Sequence, residues 1–118
     1  MQLTLSHGHA GTVANDITEI KVLKAVFGDA ARRLSISSTK SMHGHALGAS
    51  GSLELIAVIE AIRRGIVPPT INIEELDPEC DLDVTPGCAR ARPIRAAVSN
   101  AFAFGGTNAV VAVKRFDD

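Results

Sequence analysis

The interpretation of this sequence starts from one stretch, residues 38–52, which reads STKSMHGHALGASGS. It places Lys40, His43 and His45 within six residues, continues with small residues and leads into an apolar segment. Small residues let a helix begin close to other groups, and the backbone N–H groups at a helix start favour negative charge. The patterns GxxxxGK[ST] and GxGxxG are both missing from the stretch, so as a phosphate signal it is weak. Close helix packing without a ligand is an equal alternative.

Helices and strands are predicted on both sides of this stretch. Residues 52–65, SLELIAVIEAIRRG, predict a helix that is apolar over most of its circumference, largely buried, and ended by Gly65. Residues 34–38 alternate as a short strand does. Residues 15–28 predict an amphipathic helix that ends near Gly28.

The remaining segments complete an α/β pattern. Residues 66–87 are extended, acidic and rich in proline, which predicts a surface excursion. Residues 96–102, AAVSNAF, predict a strand, and AFGG predicts a turn. Residues 108–116 contain a continuous Val/Ala run that predicts a strand buried on both faces. The short link predicts that the last two strands form an antiparallel hairpin. Helices alternating with strands indicate α/β layers in a single domain, residues 1–118.

Composition excludes several classes of protein. The chain is 46% hydrophobic and has a formal net charge of −1, so we expect no electrostatic binding of nucleic acid or anionic lipid. No apolar run is long enough to span a membrane and no signal-peptide pattern is present, which predicts a soluble, cytoplasmic protein. Cys80 and Cys88 do not make a disulfide framework, and we expect inert, reduced thiols.

The histidines allow a catalytic and a metal-binding interpretation. A cation such as Lys40 beside His45 tends to keep the imidazole neutral, and a neutral histidine can donate an N–H to a developing oxyanion. Histidines in loops are also often only solvated. The motif HGH occurs at His7/His9 and again at His43/His45, and an i, i+2 pair on an extended segment points both side chains the same way. Four imidazoles could bind zinc or copper, although the spacing matches no common zinc motif.

Four ordered blocks of sequence carry a resemblance to a known family. These are NDITE at residues 15–19, SSTKSMHGHALGASGSLE at 37–54, PPTINIEELDPECDLD at 68–83 and SNAFAFGGTNA at 99–109. Together they resemble the C-terminal half of a type II elongating β-ketoacyl-[acyl-carrier-protein] synthase, from about Thr12 onward. Four blocks in the correct order are a much stronger signal than a single motif.

The resemblance implies a fold, a reaction and partners. The fold would be a thiolase-like half-domain, a mixed sheet with packed helices. The reaction would be decarboxylative condensation of malonyl-acyl carrier protein with an acyl thioester, in fatty-acid or related polyketide synthesis. The family's nucleophilic cysteine lies in the N-terminal half and has no counterpart here, so we expect this chain alone to be inactive. The implied partners are acyl carrier protein bearing acyl or malonyl phosphopantetheine, the N-terminal half and, through an exposed apolar face, a second copy.

The same resemblance implies roles for individual catalytic residues. His45 would donate a hydrogen bond to the malonyl thioester oxygen. Lys40 would order the site together with Glu19, which has Asp16 as its neighbour. The backbone N–H of Phe104, which matches the family's gating phenylalanine, would form half of an oxyanion hole.

Further implied roles concern binding. Gly105 and Gly106 would let the chain turn close to substrate, and Thr12 would contact the pantetheine arm. A structural monovalent cation is the only cofactor that the resemblance implies, with Glu54, Ser99 and Asn100 as its ligands.

This sequence departs from the family pattern at two places. The segment HGHAGTVAND is one residue longer than the family's, so His7 is preferred as the first catalytic histidine and His9 is the alternative. Leu5 stands where the family has an asparagine, which weakens the cation site. His43 replaces a threonine and receives no role. Two rival functions stay open, a non-catalytic thiolase-like scaffold and a histidine-rich metal-binding domain.

Overall fold

A computed structural model describes the backbone of residues 2–6 and 13–116, with side chains for residues 17–103 and 105–116. The helices are α1 (Val13–Phe27), α2 (Lys40–His43) and α3 (Ser50–Arg64). Short 3₁₀ turns occupy Gly28–Arg33, Leu47–Ala49 and Phe104–Gly106. The strands are β1 (Gln2–Ser6), β2 (Ser35–Ser37), β3 (Ile66–Val67), β4 (Arg90–Ala91), β5 (Ala96–Ala103) and β6 (Thr107–Lys114). None of the helices in these ranges is long and apolar enough to cross a membrane.

The main sheet is mixed and has the strand order β2-β1-β5-β6. β1 pairs in parallel with both β2 and β5, whereas β5 and β6 are antiparallel. β3 and β4 form a separate antiparallel pair. The prediction of a mixed α/β architecture is therefore confirmed.

The β5–β6 hairpin forms where the sequence predicted it. Ala103 pairs with Thr107, and the chain reverses through Gly105 and Gly106, whose φ angles are 80° and 77°. Such positive φ angles cost little for glycine and strain other residues, so the GG dipeptide fixes the turn at this place.

The carboxyl ends of three strands meet at one edge of the main sheet. Leu5 of β1 pairs with Ser37 of β2 on one side and with Ser99 of β5 on the other. Parallel strands end at the same edge, so the segments that follow β1, β2 and β5 all leave from it. One of these segments contains Lys40, and another contains Phe104.

Two hydrophobic clusters hold the helices against the sheet. α3 contributes Val58, Ala61 and Ile62 to the first, with Val67, Ile94 and Ala97. α1 contributes Ile20 and Leu23 to the second, with Ala31, Ile36, Leu82 and Val84. Each fully buried Val, Leu or Ile side chain in these clusters stabilises the fold by about 1.5–3 kcal/mol relative to its exposed state.

Two predictions of burial are wrong. α3 is buried on one face only, and its Leu53, Ile56 and Ile59 are 41%, 58% and 40% exposed. β6 is not covered on both faces, since Val110 and Val111 are 61% and 46% exposed. Val110 and Val111 are neighbours in the strand and point to opposite faces, so the described residues leave both faces of β6 largely uncovered. Only the half-buried Val113 packs against the core around α3.

The proline-rich excursion is only partly a surface segment. Its middle is exposed, as expected, but Leu82 and Val84 belong to the core around α1. The Thr85 hydroxyl donates to the Ile36 carbonyl at 2.8 Å, which holds the segment against β2. The prediction erred because extended segments without periodicity do not reveal which side chains are buried. Neither Cys80 nor Cys88 is part of a disulfide; Cys80 is half-buried and Cys88 is exposed.

Helix and strand ends differ slightly from the predicted ones. α1 begins at Val13, two residues before the predicted start, and ends at Phe27, where Gly28 adopts a φ of 53°. β2 is three residues long instead of five. Gly65 ends α3 in the left-handed conformation, with φ 64° and ψ 38°, as predicted.

Candidate active site at the carboxyl edge of the sheet

A buried charged cluster surrounds Lys40 at the start of α2. The Lys40 residue is only 6% exposed, and the carboxylates of Glu54 and Glu19 interact with its ammonium group. Burial lowers the pKa of Lys40, while the attraction of Glu54 and then of Glu19 opposes that change. The sequence predicted Glu19 as the acid beside Lys40. The structure places Glu54 there as well, with the larger effect of the two.

Glu54 lies on α3 and is 1% exposed. Burial raises the pKa of its carboxyl to about 7, against the attraction of Lys40 and a hydrogen bond from Ser99, whose Oγ lies 3.5 Å from Oε2. Glu19 adds a smaller upward contribution to this pKa. Residues predicted for two different roles, catalysis and cation binding, therefore form one cluster.

Asn100 and the turn after β5 border this cluster. Asn100 is 8% exposed and pairs in register with Ser6, the last residue of β1. The chain then enters the turn at Phe104, whose side chain is outside the described residues, and continues through Gly105 and Gly106. The edge of the sheet thus brings the polar ends of β1 and β5 side by side.

The ring of His45 is oriented by its own loop. The Leu47 N–H donates to His45 Nδ1 at 2.9 Å, and the Ser50 hydroxyl lies 3.2 Å from the same nitrogen. Ser50 Oγ itself accepts the N–H of Ala46 at 3.0 Å. A nitrogen that accepts a backbone N–H carries no proton, so a neutral His45 has its proton on Nε2. The geometry selects the tautomer that presents an Nε2–H donor.

His43 has the opposite tautomer. Its Nδ1 lies 2.8 Å from the Gly44 carbonyl oxygen, which can only accept, so this nitrogen carries the proton. The expectation of an extended segment at His43 and His45 is wrong, because His43 ends α2 and Gly44 has φ 76° and ψ −178°.

The described residues contain no site for the metal ion of the metal-binding alternative. Within residues 17–103 and 105–116, no group of three or more His, Cys, Asp or Glu side chains is arranged to hold a metal ion. His7 and His9, which the proposed four-imidazole site requires, lie outside the described residues.

The predicted site residues that the structure describes in full or in the turn after β5 fall into three groups. Lys40, Glu19, Glu54, Ser99 and Asn100 are buried at the carboxyl edge of the sheet, whereas His45 lies on the exposed loop that follows Lys40. Gly105 and Gly106 form the turn after β5. Asp16 is described in its backbone only, within α1, and the predictions for His7, His9 and Thr12 fall outside the described residues.

Sequence reasoning missed the role of Ser50. Its hydroxyl bridges the Ala46 N–H and the His45 ring, while its residue is fully buried at the start of α3. The run of small residues suggested only room for close packing. The sequence did offer one signal: a serine at a helix start, five residues after a loop histidine, can hydrogen-bond to that histidine.

An apolar groove of about 420 Å³ lies between α2, α3 and β3. Its apolar walls are Met42, Leu53, Ala57, Ile66 and Pro68. Met42, Leu53 and Ile66 are each 41–45% exposed, so the groove continues the uncovered face of α3. Apolar surface of this extent is typical of a site for another polypeptide or an apolar ligand.

Comparison with known sequences identifies one family. Residues 3–74 match the family described as "Beta-ketoacyl synthase, C-terminal domain". The chain is 58% identical over 110 residues to nodulation protein E of Rhizobium meliloti, covering 93% of this chain and 27% of that protein. It is 50% identical over 111 residues to 3-oxoacyl-[acyl-carrier-protein] synthase 2 of Synechocystis sp., covering 94% of this chain and 26% of that protein. The chain thus spans about a quarter of the length of these curated relatives.

Comparison with solved structures gives the same result. A type II polyketide ketosynthase, solved in complex with its acyl carrier protein, superposes with a TM-score of 0.92 at 37% identity, over 97% of this chain and 28% of that one. The ishigamide ketosynthase/chain length factor superposes with a TM-score of 0.90 at 42% identity, over 98% of this chain and 28% of that one.

Proposed function

Because the chain belongs to the β-ketoacyl synthase C-terminal domain family, we propose that it serves as the C-terminal part of a 3-oxoacyl-[acyl-carrier-protein] synthase. Its fold is the thiolase-like half-domain of the ketosynthases that it superposes on. The proposed reaction joins an acyl thioester to the two-carbon unit of malonyl-acyl carrier protein, with loss of carbon dioxide.

The observation that carries this proposal is the orientation of His45. Loss of carbon dioxide breaks the bond between the malonyl methylene carbon and its carboxylate, and the electron pair passes toward the thioester oxygen as an enolate. A fixed Nε2–H donor stabilises that oxygen as its charge develops. The Leu47 N–H at 2.9 Å from Nδ1 keeps the proton of a neutral His45 on Nε2. The enolate carbon then attacks the acyl thioester carbon, and the cysteine sulfur departs as a thiolate.

The cluster around Lys40 supplies fixed charge beneath this loop. The ammonium group of Lys40 and the carboxylates of Glu54 and Glu19 offset one another in a buried setting where isolated charges are costly. Lys40, Glu19 and the neighbouring Asp16 therefore order the site. His7, or alternatively His9, adds the second catalytic histidine.

The turn after β5 supplies the second oxyanion site in this proposal. The Phe104 N–H donates to the oxygen of the acyl thioester under attack. Gly105 and Gly106, both at positive φ, let the chain turn next to substrate. Thr12 contacts the pantetheine arm.

A structural monovalent cation is part of the same proposal, with Glu54, Ser99 and Asn100 as ligands. Their carboxylate, hydroxyl and amide groups offer oxygen atoms, which suit a hard cation, and all three residues are buried together. Above pH 7, where Glu54 is ionised, two carboxylates beside a single lysine leave the cluster one charge negative. A bound monovalent cation would balance that charge and help hold α3 against β5.

The nucleophilic cysteine must come from another polypeptide segment. Cys80 packs against the core around α1, and Cys88 lies in the exposed segment before β4, so neither is placed at the carboxyl edge of the sheet. We infer that the N-terminal part of the synthase covers the exposed face of α3 and the groove beside it. In its absence, the same apolar surface would drive self-association.

Acyl carrier protein bearing the acyl and malonyl groups is the proposed substrate carrier, as in the complex of the superposed ketosynthase with its own carrier protein. A cytoplasmic location belongs to the proposal too and rests on the sequence alone.

The test is reconstitution. The chain is mixed with a separately produced N-terminal part of a closely similar synthase, and acyl and malonyl carrier proteins are added. The mixture should form ketoacyl product, whereas the chain alone should form none. Cys80→Ser and Cys88→Ser variants should be as active in the mixture as the wild type. Turnover by the chain alone, lost on either cysteine substitution, would overturn the proposal.

A further inference from the structure

The His43 ring is held at both of its nitrogens. Nδ1–H donates to the Gly44 carbonyl at 2.8 Å. In a neutral ring with its proton on Nδ1, Nε2 can only accept, and it lies 3.3 Å from the Thr39 hydroxyl oxygen. The ring therefore joins the residue that precedes α2 to the residue that precedes His45.

Gly44 is the point at which the direction of the chain toward His45 is set. Its φ of 76° and ψ of −178° leave the helical region, and its N–H donates to the Lys40 carbonyl at 2.8 Å. Apart from Gly44 and its two chain neighbours, no described residue has an atom within 4 Å of the position that a Cβ on Gly44 would occupy, so packing around that position does not fix this residue. The Lys40 bond restrains the peptide plane that enters Gly44, and the hydrogen bond from His43 to the Gly44 carbonyl restrains the peptide plane that leads into His45.

We propose that His43 is a positioning residue for His45. The hydrogen bond from His43 holds the Gly44 carbonyl in place. The Gly44 carbonyl and the His45 nitrogen share one peptide plane, so the same bond helps to position the backbone of His45, and with it the imidazole. A threonine, which the family motif has at this position, has one hydroxyl and cannot bridge Thr39 and Gly44 as an imidazole does. The bridge therefore depends on the imidazole of His43.

The first test measures the loop in the chain itself. The Leu47 amide donates to His45 Nδ1, so its hydrogen exchange reports how well the His45 ring is held. His43→Phe keeps a ring and removes both hydrogen bonds, and it should lower the protection of the Leu47 amide about tenfold. His43→Asn places an amide donor near Gly44 and should stay within about twofold of wild type. The Ile62 amide in α3 is the internal control and should not change. Equal protection of Leu47 in the wild type and in His43→Phe would overturn the proposal.

A second measurement reads the His43 tautomer. Nitrogen-15 spectra at about pH 8, where imidazoles are mostly neutral, should show His43 protonated mainly on Nδ1. A ring protonated mainly on Nε2 cannot donate to Gly44, and that result would also overturn the proposal.

A third, kinetic measurement rests on the proposed function. In the reconstituted synthase, His43→Phe should lower kcat about tenfold with little change in KM, and His43→Asn should restore most of it. An unchanged kcat in His43→Phe would refute a positioning role in the reaction. A reconstituted wild type without activity would instead refute the proposed function, and the exchange and tautomer measurements would still decide whether His43 positions His45.

Discussion

The cluster around Lys40 and the loop around His45 are neighbours in sequence, yet they differ in what surrounds them. Lys40 and Glu54 are buried by the chain's own strands and helices, and their charges offset one another there. His45 is exposed and is oriented by the hydrogen bonds of a short loop. Substitutions in the cluster should therefore mainly lower the free energy of unfolding, and substitutions in the loop should mainly lower the reaction rate.

The largest effect is expected from His45→Ala in the reconstituted synthase. Removing the Nε2–H donor should lower malonyl decarboxylation by about 10²–10³-fold, the usual effect of losing one oxyanion donor. Release of labelled carbon dioxide measures this rate. Leu47→Ala is the matched control, because it keeps the backbone N–H that orients the ring and should stay within about threefold of wild type. If His45→Ala decarboxylated malonyl thioester as fast as Leu47→Ala does, His45 would have no role in the reaction.

Lys40→Met should have the largest effect on stability. The substitution keeps the length of the side chain and removes the ammonium group beside two buried carboxylates, so the free energy of unfolding should fall by about 3 kcal/mol. Chemical denaturation followed by circular dichroism measures it. Lys21→Met, at an exposed position on α1, should change it by less than about 0.5 kcal/mol. If both variants were equally stable, the cluster would not contribute to folding.

The pH dependence of stability should reveal Glu54. Its pKa in the folded chain is about 7, above the value of 4.5 for an unperturbed glutamate. The folded state therefore binds this proton more tightly than the unfolded state does. The stability contributed by Glu54 is fully present below pH 4.5 and is lost as pH rises through 7.

Comparison of the wild type with Glu54→Gln isolates that contribution. Between pH 5 and pH 8 the wild type should lose about 2 kcal/mol more unfolding free energy than the variant does. Glu60→Gln is the control, because the hydrogen bond from Arg64 lowers the pKa of Glu60 and moves its effect below this range. A wild type that gains stability relative to Glu54→Gln over the same range would reverse the assignment.

The smallest of these effects concerns the exposed face of α3. Ile56→Ser removes a side chain that is 58% exposed, so it should weaken self-association about tenfold while it changes unfolding free energy by less than about 1 kcal/mol. Sedimentation at several concentrations measures the association. Val26→Ser, at a 69% exposed valine on α1, should leave the association unchanged. Equal effects of the two substitutions would show that this face has no special role.

Features fixed by local chemistry were predictable from the sequence. Gly65 ends α3 and Gly105–Gly106 turn the hairpin because positive φ angles at those points favour glycine. The clusters of apolar residues in α1 also gave its buried face, with Ile20 and Leu23 in the core. Each of these features depends on residues close together in the chain.

Features that depend on distant contacts were not predictable in the same way. The sequences of α3 and β6 show that their side chains are apolar. They do not show whether other residues of this chain bury those side chains. Glu54 lies 14 positions beyond Lys40, across an irregular loop, so no periodicity placed its carboxylate beside that lysine. The family motif did mark Glu54, for a different role.

The most direct test of the central claim is the protonation of His45 in the reconstituted synthase with a non-reactive malonyl thioester analogue bound. Before the analogue is added, nitrogen-15 spectra should show that the proton of His45 is on Nε2. When the Nε2–H group donates to the thioester oxygen of the analogue, the chemical shift of its proton should move downfield. The account predicts the shift for His45 and none for His43. A His45 ring protonated on Nδ1, or an Nε2–H signal that does not respond to the analogue, would contradict it.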